Sequence, residues 1–381
     1  MMNKPFYQDL KLGILGGGQL GRMLIQSCVD FNINTCILDA DPSSPCKEFA
    51  SEFTLGDPTN FDDVMAFGKL VDIITIEVEN VNTEALAKLQ KMGKKVFPQP
   101  EVIKLIQDKR TQKQFYKKHG IPTADFVLID HKEDIHKHLD FLPAVQKLGT
   151  AGYDGRGVQK IVDKAAIAKG FDAPSLLEKL IDFEKEISVI TARNESGEVV
   201  VYPVVELVFH PEYNLVEYLF APAKISPAIE QKAFEIARKV VEKLEIVGLL
   251  AVEMFVTKEG DVLVNEVAPR PHNSGHQTIK ANYTSQFEQH LRAILNLPLG
   301  SPAITKQSAM VNILGEEGFS GIAVYKGIED ILRIEGVYIH LYGKKFTKPK
   351  RKMGHITIID DNFEQLLQKV EKINNTIKVI A

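Results

Sequence analysis

Two glutamates in neighbouring apolar segments have the spacing that says most about chemistry. The segments LAVEMFV (250–256) and VLVNEV (262–267) flank a turn-like tetrad, KEGD, and predict an antiparallel hairpin. If the turn is centred between residues 259 and 260, paired residues have numbers that sum to 519, as Glu253 and Glu266 do. Their carboxylates would then lie opposite each other on one face, with Cβ atoms about 5 Å apart.

This pair of carboxylates needs a compensating cation. Like charges opposed across two strands destabilise a sheet, and Glu253 lies in an otherwise apolar strand. Carboxylate oxygens suit Mg²⁺, which usually keeps water and nucleotide phosphates as its other ligands. The sequence therefore predicts a divalent-metal site at Glu253 and Glu266. The alternative is a slipped register that turns one glutamate to solvent.

The polar run that follows Glu266 is typical of a reaction centre. It reads VAPRPHNSGH over residues 267–276. Arg270 offers a planar fork to a carboxylate, bicarbonate or phosphate beside the predicted metal. A plainer interpretation, in which a histidine only caps a helix, stays open for His276.

The first glycine motif is ambiguous. Gly16, Gly18 and Gly21 form G-x-G-x-x-G between a predicted strand and helix, and Asp39 and Asp41 follow about twenty residues later. This context is typical of dinucleotide binding. The N–H groups at a helix N-terminus also bind other phosphates, and a third interpretation is a tight turn whose glycines serve packing alone. The motif leaves all three open.

A second glycine-rich segment, KLGTAGYDGRG (147–157), indicates a phosphate-binding flap. It has four glycines in nine residues, with Lys147 before them and Arg156 among them. The backbone N–H groups of such a loop can close over phosphates while the cations neutralise them. Because it lacks the G-K-[ST] ending of a P-loop, it indicates a different nucleotide fold. The alternative is a glycine-rich hairpin that binds nothing.

Further residues could complete a nucleotide or anion site. Residues 175–181 predict a buried edge strand that enters a linker, where backbone groups could pair with adenine. Glu186, eight residues after Glu178, could accept from ribose hydroxyls, although such acids are more often solvated. A basic run forms either a solvated face or one wall of an anion pocket: Lys344, Lys345, Lys348, Lys350, Arg351 and Lys352.

The elements that must position these residues fall into three groups. Apolar runs at 12–15, 35–38, 72–78 and 94–97, with helices at 19–31 and 83–92, predict βαβ units and a parallel sheet. Helical sequence from 100 to 119 then meets Gly120-Ile121-Pro122, where we place a domain boundary.

The remaining chain predicts two mixed units. Strands at 199–209, 249–256 and 261–267 surround a helix at 227–245, whose apolar residues recur at 3.6-residue spacing. Beyond 297–298, strands near 308–314, 336–342 and 354–359 accompany a helix near 362–373. The predicted domains are therefore 1–122, 123–298 and 299–381.

Composition excludes several classes of protein. The chain has 381 residues, 25% charged and 44% hydrophobic, which excludes disorder and fibrous repeats. A net charge of −4 does not favour nucleic acid or an anionic membrane as a partner. Without a long apolar run or a hydrophobic signal core, we expect a soluble cytoplasmic protein. Cys28, Cys36 and Cys46 form no CxxC pair, and we expect reduced packing residues.

Taken together and in order, the motifs resemble the ATP-grasp enzymes and, within them, the N5-carboxyaminoimidazole ribonucleotide synthetases of purine biosynthesis. The resemblance covers nearly the whole chain and rests on GGGQLGRM (16–23), EVENV (77–81), DKRTQK (108–113), GYDGRG (152–157), NEVAPRPHNSGH (265–276) and KRKMGH (350–355). It implies an α/β and α+β fold: a Rossmann-like N-terminal domain, an ATP-grasp domain that holds ATP between its halves, and a small C-terminal mixed domain that completes the active site.

The resemblance also implies roles for individual residues. ATP would meet Lys109, Lys147, the flap Gly152, Tyr153, Asp154, Gly155, Arg156 and Gly157, then Glu178, Lys179, Leu180, Ile181, Glu186, His210, Asn265 and Glu266. Glu253 and Glu266 would bind Mg²⁺, or Mn²⁺ in its place. The ribonucleotide would meet Gly18, Gln19, Leu20, Glu77, Asp154, Arg270, His272, Asn273, Lys345, Arg351 and Lys352. Arg270, Lys147, Asp154 and His272 would be catalytic.

Three positions depart from the family's pattern. Lys109 stands where an arginine is expected, and Gly149 stands where relatives often carry arginine. Ala268 stands where many wider ATP-grasp relatives have a metal-binding asparagine, so two side-chain ligands are expected.

The implied reaction consumes ATP and bicarbonate to make carboxyphosphate, which carboxylates the exocyclic amine of aminoimidazole ribonucleotide. The implied partners are these small molecules, a second copy of the chain in a homodimer, and a separate mutase coupled in function. The nearest rival is another carboxylate–amine ligase of the same fold, such as a formate-dependent glycinamide ribonucleotide transformylase. A nicotinamide oxidoreductase that uses Gly16, Gly18, Gly21 and Asp39, or a non-catalytic nucleotide sensor, would leave the glutamate pair unexplained.

Overall fold

The computed structural model describes residues 9–150, 157–210 and 215–381. Its first part contains the strands β1 (Lys11–Leu15), β2 (Asn34–Asp39), β3 (Glu52–Leu55), β4 (Ile73–Ile76) and β5 (Lys95–Val96), and the helices α1 (Gln19–Asp30), α2 (Phe61–Gly68) and α3 (Thr83–Lys91). The strands are parallel, in the order β3-β2-β1-β4-β5. The βαβ sheet predicted for the first 120 residues is confirmed.

Two of these elements, β3 and α2, are absent from the sequence prediction. Strand β3 lies at the edge of the sheet and buries none of its residues fully, so no apolar run marks it. Helix α2 begins after Asn60, whose side chain accepts from the N–H groups of Asp62 and Asp63. That N-cap is visible in the sequence, but the helix is only two turns long.

The helical stretch predicted from residue 100 to 119 is two helices. Helix α4 (Pro100–Gln107) ends before Asp108, and helix α5 (Lys109–Lys118) begins after it. Asp108 is extended, with φ −114° and ψ 109°, and its side chain accepts from the N–H of Arg110 at 2.8 Å. An aspartate in this cap position starts a new helix, so Lys109 becomes a first-turn residue.

A small antiparallel sheet follows. It contains β6 (Phe126–Ile129), β7 (Ala144–Leu148), β8 (Val158–Ile161) and β9 (Ser175–Lys179), in the order β6-β9-β7-β8. The strand predicted at 175–181 is confirmed, but its predicted edge position is wrong. Strand β6 pairs with the side expected to be open, with Phe126 opposite Glu178.

The large sheet carries the predicted hairpin. Its strands are β10 (Phe183–Arg193), β11 (Val199–Val201), β12 (Val205–Phe209), β13 (Val216–Ala221), β14 (Gly248–Thr257) and β15 (Val262–Ala268). The run predicted at 199–209 is two strands, and Pro203 between them has no N–H to give to a ladder. Helix α6 (Pro227–Leu244) packs on this sheet through the predicted face of Ala233, Ala237, Val240, Val241 and Leu244.

The C-terminal segment extends the same sheet. Its elements are α7 (Thr278–Ala281), α8 (Gln286–Ile294), β16 (Gln307–Leu314), β17 (Gly321–Ile322), β18 (Val324–Lys326), α9 (Ile328–Ile331), β19 (Val337–Leu341), β20 (Phe346–Thr347), β21 (Lys352–Asp360), α10 (Phe363–Thr376) and β22 (Lys378–Ile380). The order β15-β14-β10-β12-β13-β16-β21-β19 is continuous. Strand β21 therefore belongs to the same sheet as the hairpin strands. Within the described ranges, no helix has both the length and the apolarity needed to span a membrane.

The first glycine motif encloses a buried carboxylate. Glu77, which follows β4, is 7% exposed and accepts a hydrogen bond from the N–H of Leu20 at 3.2 Å. A Cβ atom at Gly18 would lie 2.5 Å from Glu77 Oε1, and one at Gly16, where φ is +97°, would lie 2.7 Å from Oε2. Gly16 and Gly18 therefore leave room for the carboxylate that caps α1.

Gly18→Ala tests this packing. The added methyl group collides with a buried carboxylate that must give up its hydrogen bond from Leu20 to move away, so we expect the free energy of unfolding to fall by about 1–3 kcal/mol in urea denaturation. Combining it with Glu77→Ala should cost clearly less than the sum of the two single changes, because the second change removes the obstacle. Additive losses would show that Glu77 is not what the glycine accommodates.

Candidate active site

A cavity of about 890 Å³ separates the small sheet from the large one. Side chains from β7, β9, β10, β14, β15 and β21 line it. Of the 22 expected site residues that lie in the described ranges, it brings together 13: Lys109, Lys147, Glu178, Lys179, Leu180, Ile181, Glu186, Glu253, Asn265, Glu266, His272, Asn273 and Lys352. The predicted flap residues Gly152, Tyr153, Asp154, Gly155 and Arg156 lie outside the described residues, and Gly157 lies at their C-terminal side.

The glutamate pair has the predicted register. Glu253 on β14 lies opposite Glu266 on β15. Nearer the turn the predicted register is wrong by one residue, since Met254 pairs with Val264. A β-bulge at Asn265 absorbs the difference. Without it Glu253 would oppose Asn265 and Glu266 would point to the other face, so the bulge is what puts both carboxylates on one wall of the cavity.

The two carboxyl groups are in different electrostatic states. Lys109 Nζ lies 2.8 Å from Glu266 Oε2, and this ammonium holds the pKa of Glu266 at about 2. Burial, followed by the charges of Glu266 and Glu186, raises the pKa of Glu253 well above its usual value. His272 Nε2 lies 3.4 Å from Glu253 Oε1, and burial lowers the pKa of His272 to about 3, so the ring is neutral. Glu253 is therefore the carboxylate that most needs a further cation.

The donor set on this wall fits a hard divalent cation. Glu253 and Glu266 offer carboxylate oxygens, and Asn265 offers an amide oxygen beside them. Among the described residues, no group of three or more histidine, cysteine, aspartate or glutamate side chains is arranged to hold a metal. A cation here would take its remaining ligands from water and phosphate, as Mg²⁺ commonly does. Ala268 is paired with Ala251 and supplies no oxygen side chain.

Lysines from two neighbouring elements meet one buried carboxylate. Glu178 Oε2 lies 2.7 Å from Lys147 Nζ, and Glu178 Oε1 lies 2.9 Å from Lys113 Nζ. Although burial alone would raise it, these two ammonium groups hold the pKa of Glu178 below its usual value. Lys147 also donates to Asn265 Oδ1 at 2.8 Å, which ties the small sheet to the bulge.

Lys113 is a site residue that the sequence prediction misses. Its side chain is 2% exposed, it donates to Thr123, and burial lowers its pKa to about 8. Its position four residues after Lys109 on α5 places both on one helix face, a signal that was available in the sequence. Its carboxylate partner Glu178 also pairs with Lys147, so both oxygens of this carboxylate are next to lysines.

The outer part of the cavity is apolar. Val145, Leu207 and Phe209 line it, and Phe183 stacks on Phe255 with ring centroids 4.5 Å apart. Glu186 stands between this part and the glutamate pair, and burial raises its pKa to about 7. A planar base beside the apolar walls, with its ribose at Glu186, would fit this arrangement.

Arg270 lies beside the glutamates that follow β4. Arg270 Nη2 is 2.7 Å from Glu79 Oε1, and its charge acts against the burial that raises the pKa of Glu77. The N–H groups of Gly17 and Leu20 already donate to carboxylates. A dinucleotide pyrophosphate needs those groups, so the oxidoreductase interpretation does not fit this turn.

The members of the basic run have different surroundings. Lys352 lines the cavity, whereas Arg351 donates to the carbonyl of Phe346 at 2.8 Å. The pKa of Asp41 is lowered mainly by its hydrogen bonds with Ser43 and further by the nearby charge of Arg351. Lys345 is exposed. Gly343 packs against Arg22 of α1, so the run faces the first glycine motif.

His210 is set apart from the main cavity. It lies at a smaller cavity of about 280 Å³ that shares the wall formed by Leu215 and Val216. Its expected contact with ATP stays a prediction, as do the individual roles implied for the other site residues.

Glu186→Gln tests the desolvation of this carboxyl group. Burial raises the pKa of Glu186 from 4.5 to about 7. The group therefore lowers the free energy of unfolding only when it must ionise, so this loss is absent at low pH and grows as the pH rises from 4.5 to 7. The change should raise the free energy of unfolding by about 1–2 kcal/mol at pH 8 and by much less at pH 5, measured in urea. The exposed neighbour Glu184→Gln serves as the control. Equal gains at both pH values would contradict the explanation.

Three domain families match successive parts of the chain. They are the ribonucleotide synthetase preATP-grasp domain at 10–107, the ATP-grasp domain at 114–287 and the phosphoribosylaminoimidazole carboxylase C-terminal domain at 308–369. Together with the mixed helices and strands, they confirm the predicted fold class.

Relatives match nearly the whole chain. The N5-carboxyaminoimidazole ribonucleotide synthase of Bacillus subtilis is 34% identical, over 97% of this chain and 97% of its own length. The phosphoribosylaminoimidazole carboxylase of Ogataea methanolica is 38% identical, over 96% of this chain and 70% of its own. The chain spans 65 or 66% of several other fungal and plant carboxylases.

Solved structures superpose over nearly the whole chain. The N5-carboxyaminoimidazole ribonucleotide synthetase of Thermotoga maritima has a TM-score of 0.91 and 41% identity, over 98% of this chain and 99% of its own. A synthase of Aspergillus clavatus, solved with ADP and 5-aminoimidazole ribonucleotide, has a TM-score of 0.88 and 34% identity, over 97% and 98%. The chain belongs to the ATP-grasp superfamily and, within it, to the family of N5-carboxyaminoimidazole ribonucleotide synthetases.

Proposed function

We propose that the chain is an ATP-dependent ligase that carboxylates 5-aminoimidazole ribonucleotide with bicarbonate, in purine biosynthesis. The observation that carries the proposal is the opposed pair Glu253 and Glu266 on the wall of a cavity between two sheets. The complex of the Aspergillus clavatus relative with ADP and 5-aminoimidazole ribonucleotide supports both ligands.

The reaction has two balanced steps. A bicarbonate oxygen forms a bond to the γ-phosphorus of ATP, the bond from that phosphorus to ADP breaks, and carboxyphosphate results. The exocyclic amine of the ribonucleotide then bonds to the carboxyl carbon and loses a proton, and phosphate leaves. The protein's main task is therefore to position three anions and to shield a short-lived intermediate from water.

The residues of the cavity can meet each need. Lys109 and Lys147 would bind the nucleotide phosphates, and the fork of Arg270 would orient bicarbonate. Glu253 and Glu266 would hold Mg²⁺, which neutralises charge on the transferring phosphoryl group when bound. In neutral His272, Nδ1 accepts from the N–H of Ser274, so the Nε2–H group can donate a hydrogen bond toward Glu253.

The ribonucleotide would lie between the glycine motif and the basic run. Glu77 and the first turn of α1 form one side, and Arg351 and Lys352 reach toward it from the other. The domain boundaries after residues 122 and 298, a cytoplasmic homodimer and functional coupling to a separate mutase are further proposals, supported by the resemblance.

The direct test is ADP release by the purified protein. Release should require 5-aminoimidazole ribonucleotide and bicarbonate together. Activity with formate and glycinamide ribonucleotide instead would assign the chain to the rival transformylase class.

Glu253→Gln and Glu266→Gln should each lower ADP release about 10²-fold or more, because either change removes a ligand of the cation that neutralises the phosphates. Thermal melting should show Glu253→Gln to be at least as stable as the parent without ligands, since like-charge repulsion is relieved. Glu206→Gln, which changes a glutamate of the same sheet that binds Lys185, is the control. Full turnover in either cavity variant would contradict the metal assignment.

Arg351→Ala should raise the Michaelis constant for the ribonucleotide about 10- to 100-fold and leave that for ATP nearly unchanged. A forked, charge-assisted contact with a phosphate is worth roughly 1.5–3 kcal/mol, whereas a solvated charge is worth little. Lys348→Ala, at an exposed position of the same run, is the matched control. Equal behaviour of the two variants would identify the run as a solvated face.

A further inference from the structure

We infer that Lys109 is an internal cation that occupies the metal-binding carboxylate until a nucleotide arrives, so that a divalent cation binds the glutamate pair well only together with nucleotide phosphates. The inference rests on the proposed function for the identity of the metal site. The proposed reaction does not itself require that the metal and the nucleotide bind in any order or strengthen each other's binding.

The first observation is the position of the ammonium group. Lys109 Nζ lies 2.8 Å from Glu266 Oε2, on the face that Glu266 shares with Glu253. A divalent cation shared by the two carboxylates would have to lie within a few ångströms of this ammonium. Two cations so close repel each other, and the repulsion is little screened inside a cavity.

The second observation is that the neighbouring oxygen donor is covered as well. Lys147 Nζ donates to Asn265 Oδ1 at 2.8 Å and pairs with Glu178 at 2.7 Å. Two oxygen donors of the metal wall, on Asn265 and Glu266, are therefore engaged by ammonium groups. The protein's own lysines are therefore within hydrogen-bonding distance of these oxygens.

The third observation is the balance of charge. In this part of the cavity, Lys109, Lys113 and Lys147 face Glu178, Glu253 and Glu266. ATP brings about four negative charges and the metal brings two positive charges. The metal offsets about half of the charge that ATP brings, so each should strengthen the binding of the other, and the coupling must be reciprocal.

The lysine can make the exchange without a change of fold. Its ammonium is a point charge on a flexible stem, so it can turn from a carboxylate to a phosphate. Its backbone is fixed, because the N–H of Lys109 donates to the carbonyl of Gly149 at 2.8 Å. This bond keeps the lysine beside the end of β7, where Lys147 also lies.

The test is a titration of the protein with Mn²⁺ in the absence of nucleotide, in which binding is measured as loss of the EPR signal of the free ion. The parent should bind Mn²⁺ weakly at this pair. Lys109→Met, which keeps the length of the side chain and removes the charge, should bind it at least about tenfold more tightly, since an ion pair worth about 1.4 kcal/mol changes a binding constant tenfold. Lys109→Arg keeps the charge and should behave as the parent does.

Two controls give each outcome a meaning. Lys160→Met removes a lysine that lines the same cavity at another wall, and it should leave Mn²⁺ binding unchanged. Adding Glu253→Gln to Lys109→Met should abolish the gain. Tight Mn²⁺ binding by the nucleotide-free parent, no gain in Lys109→Met, or a gain that survives Glu253→Gln would each overturn the inference. Failure of the proposed function is read separately, as absence of ribonucleotide-dependent ADP release by the parent.

Discussion

Two carboxylates held opposite each other across an antiparallel hairpin impose the main constraint on this molecule. Glu253 and Glu266 face the same cavity, where the side chain of Glu253 is 14% exposed and that of Glu266 is 45% exposed, so solvent screens Glu253 less. Such a pair costs free energy unless cations surround it. This cost is offset by the lysines of β7 and α5, by the neutral ring of His272 beside Glu253 and by the proposed metal. The bulge at Asn265 places the two carboxylates opposite each other, so it produces both their repulsion and the proposed metal site.

The continuous large sheet lets distant parts of the chain contribute to this wall. Strand β21 carries Lys352 into the cavity because β13 pairs with β16 and β16 pairs with β21. The parallel sheet supplies Glu77 and the first turn of α1. The order of the large sheet therefore brings residues of the hairpin and of β21 to one cavity, and the parallel sheet contacts Arg270 through Glu79, which follows β4.

The sequence is sufficient where a pattern is local and insufficient where partners come from elsewhere. Periodicity predicts the parallel strands and the buried face of α6, and hairpin symmetry predicts the pairing of the two glutamates. The bulge shifts the register near the turn, and nothing local marks an extra residue at Asn265. Strand β6 covers the edge of β9, and Glu77 fills the glycine turn, because of contacts between residues far apart in the chain. Lys113, on α5, is missed for the same reason, since its carboxylate partner Glu178 lies far along the chain in β9.

The central claim is that both glutamates bind the metal ion of the nucleotide. Anomalous X-ray diffraction from crystals of the protein grown with Mn²⁺ and ADP tests it most directly. We expect one Mn²⁺ peak bonded to carboxylate oxygens of Glu253 and Glu266 and to the diphosphate, with Lys109 Nζ moved from Glu266 to the phosphates. A peak that contacts the nucleotide but neither glutamate, with the ion pair of Lys109 and Glu266 intact, would contradict it.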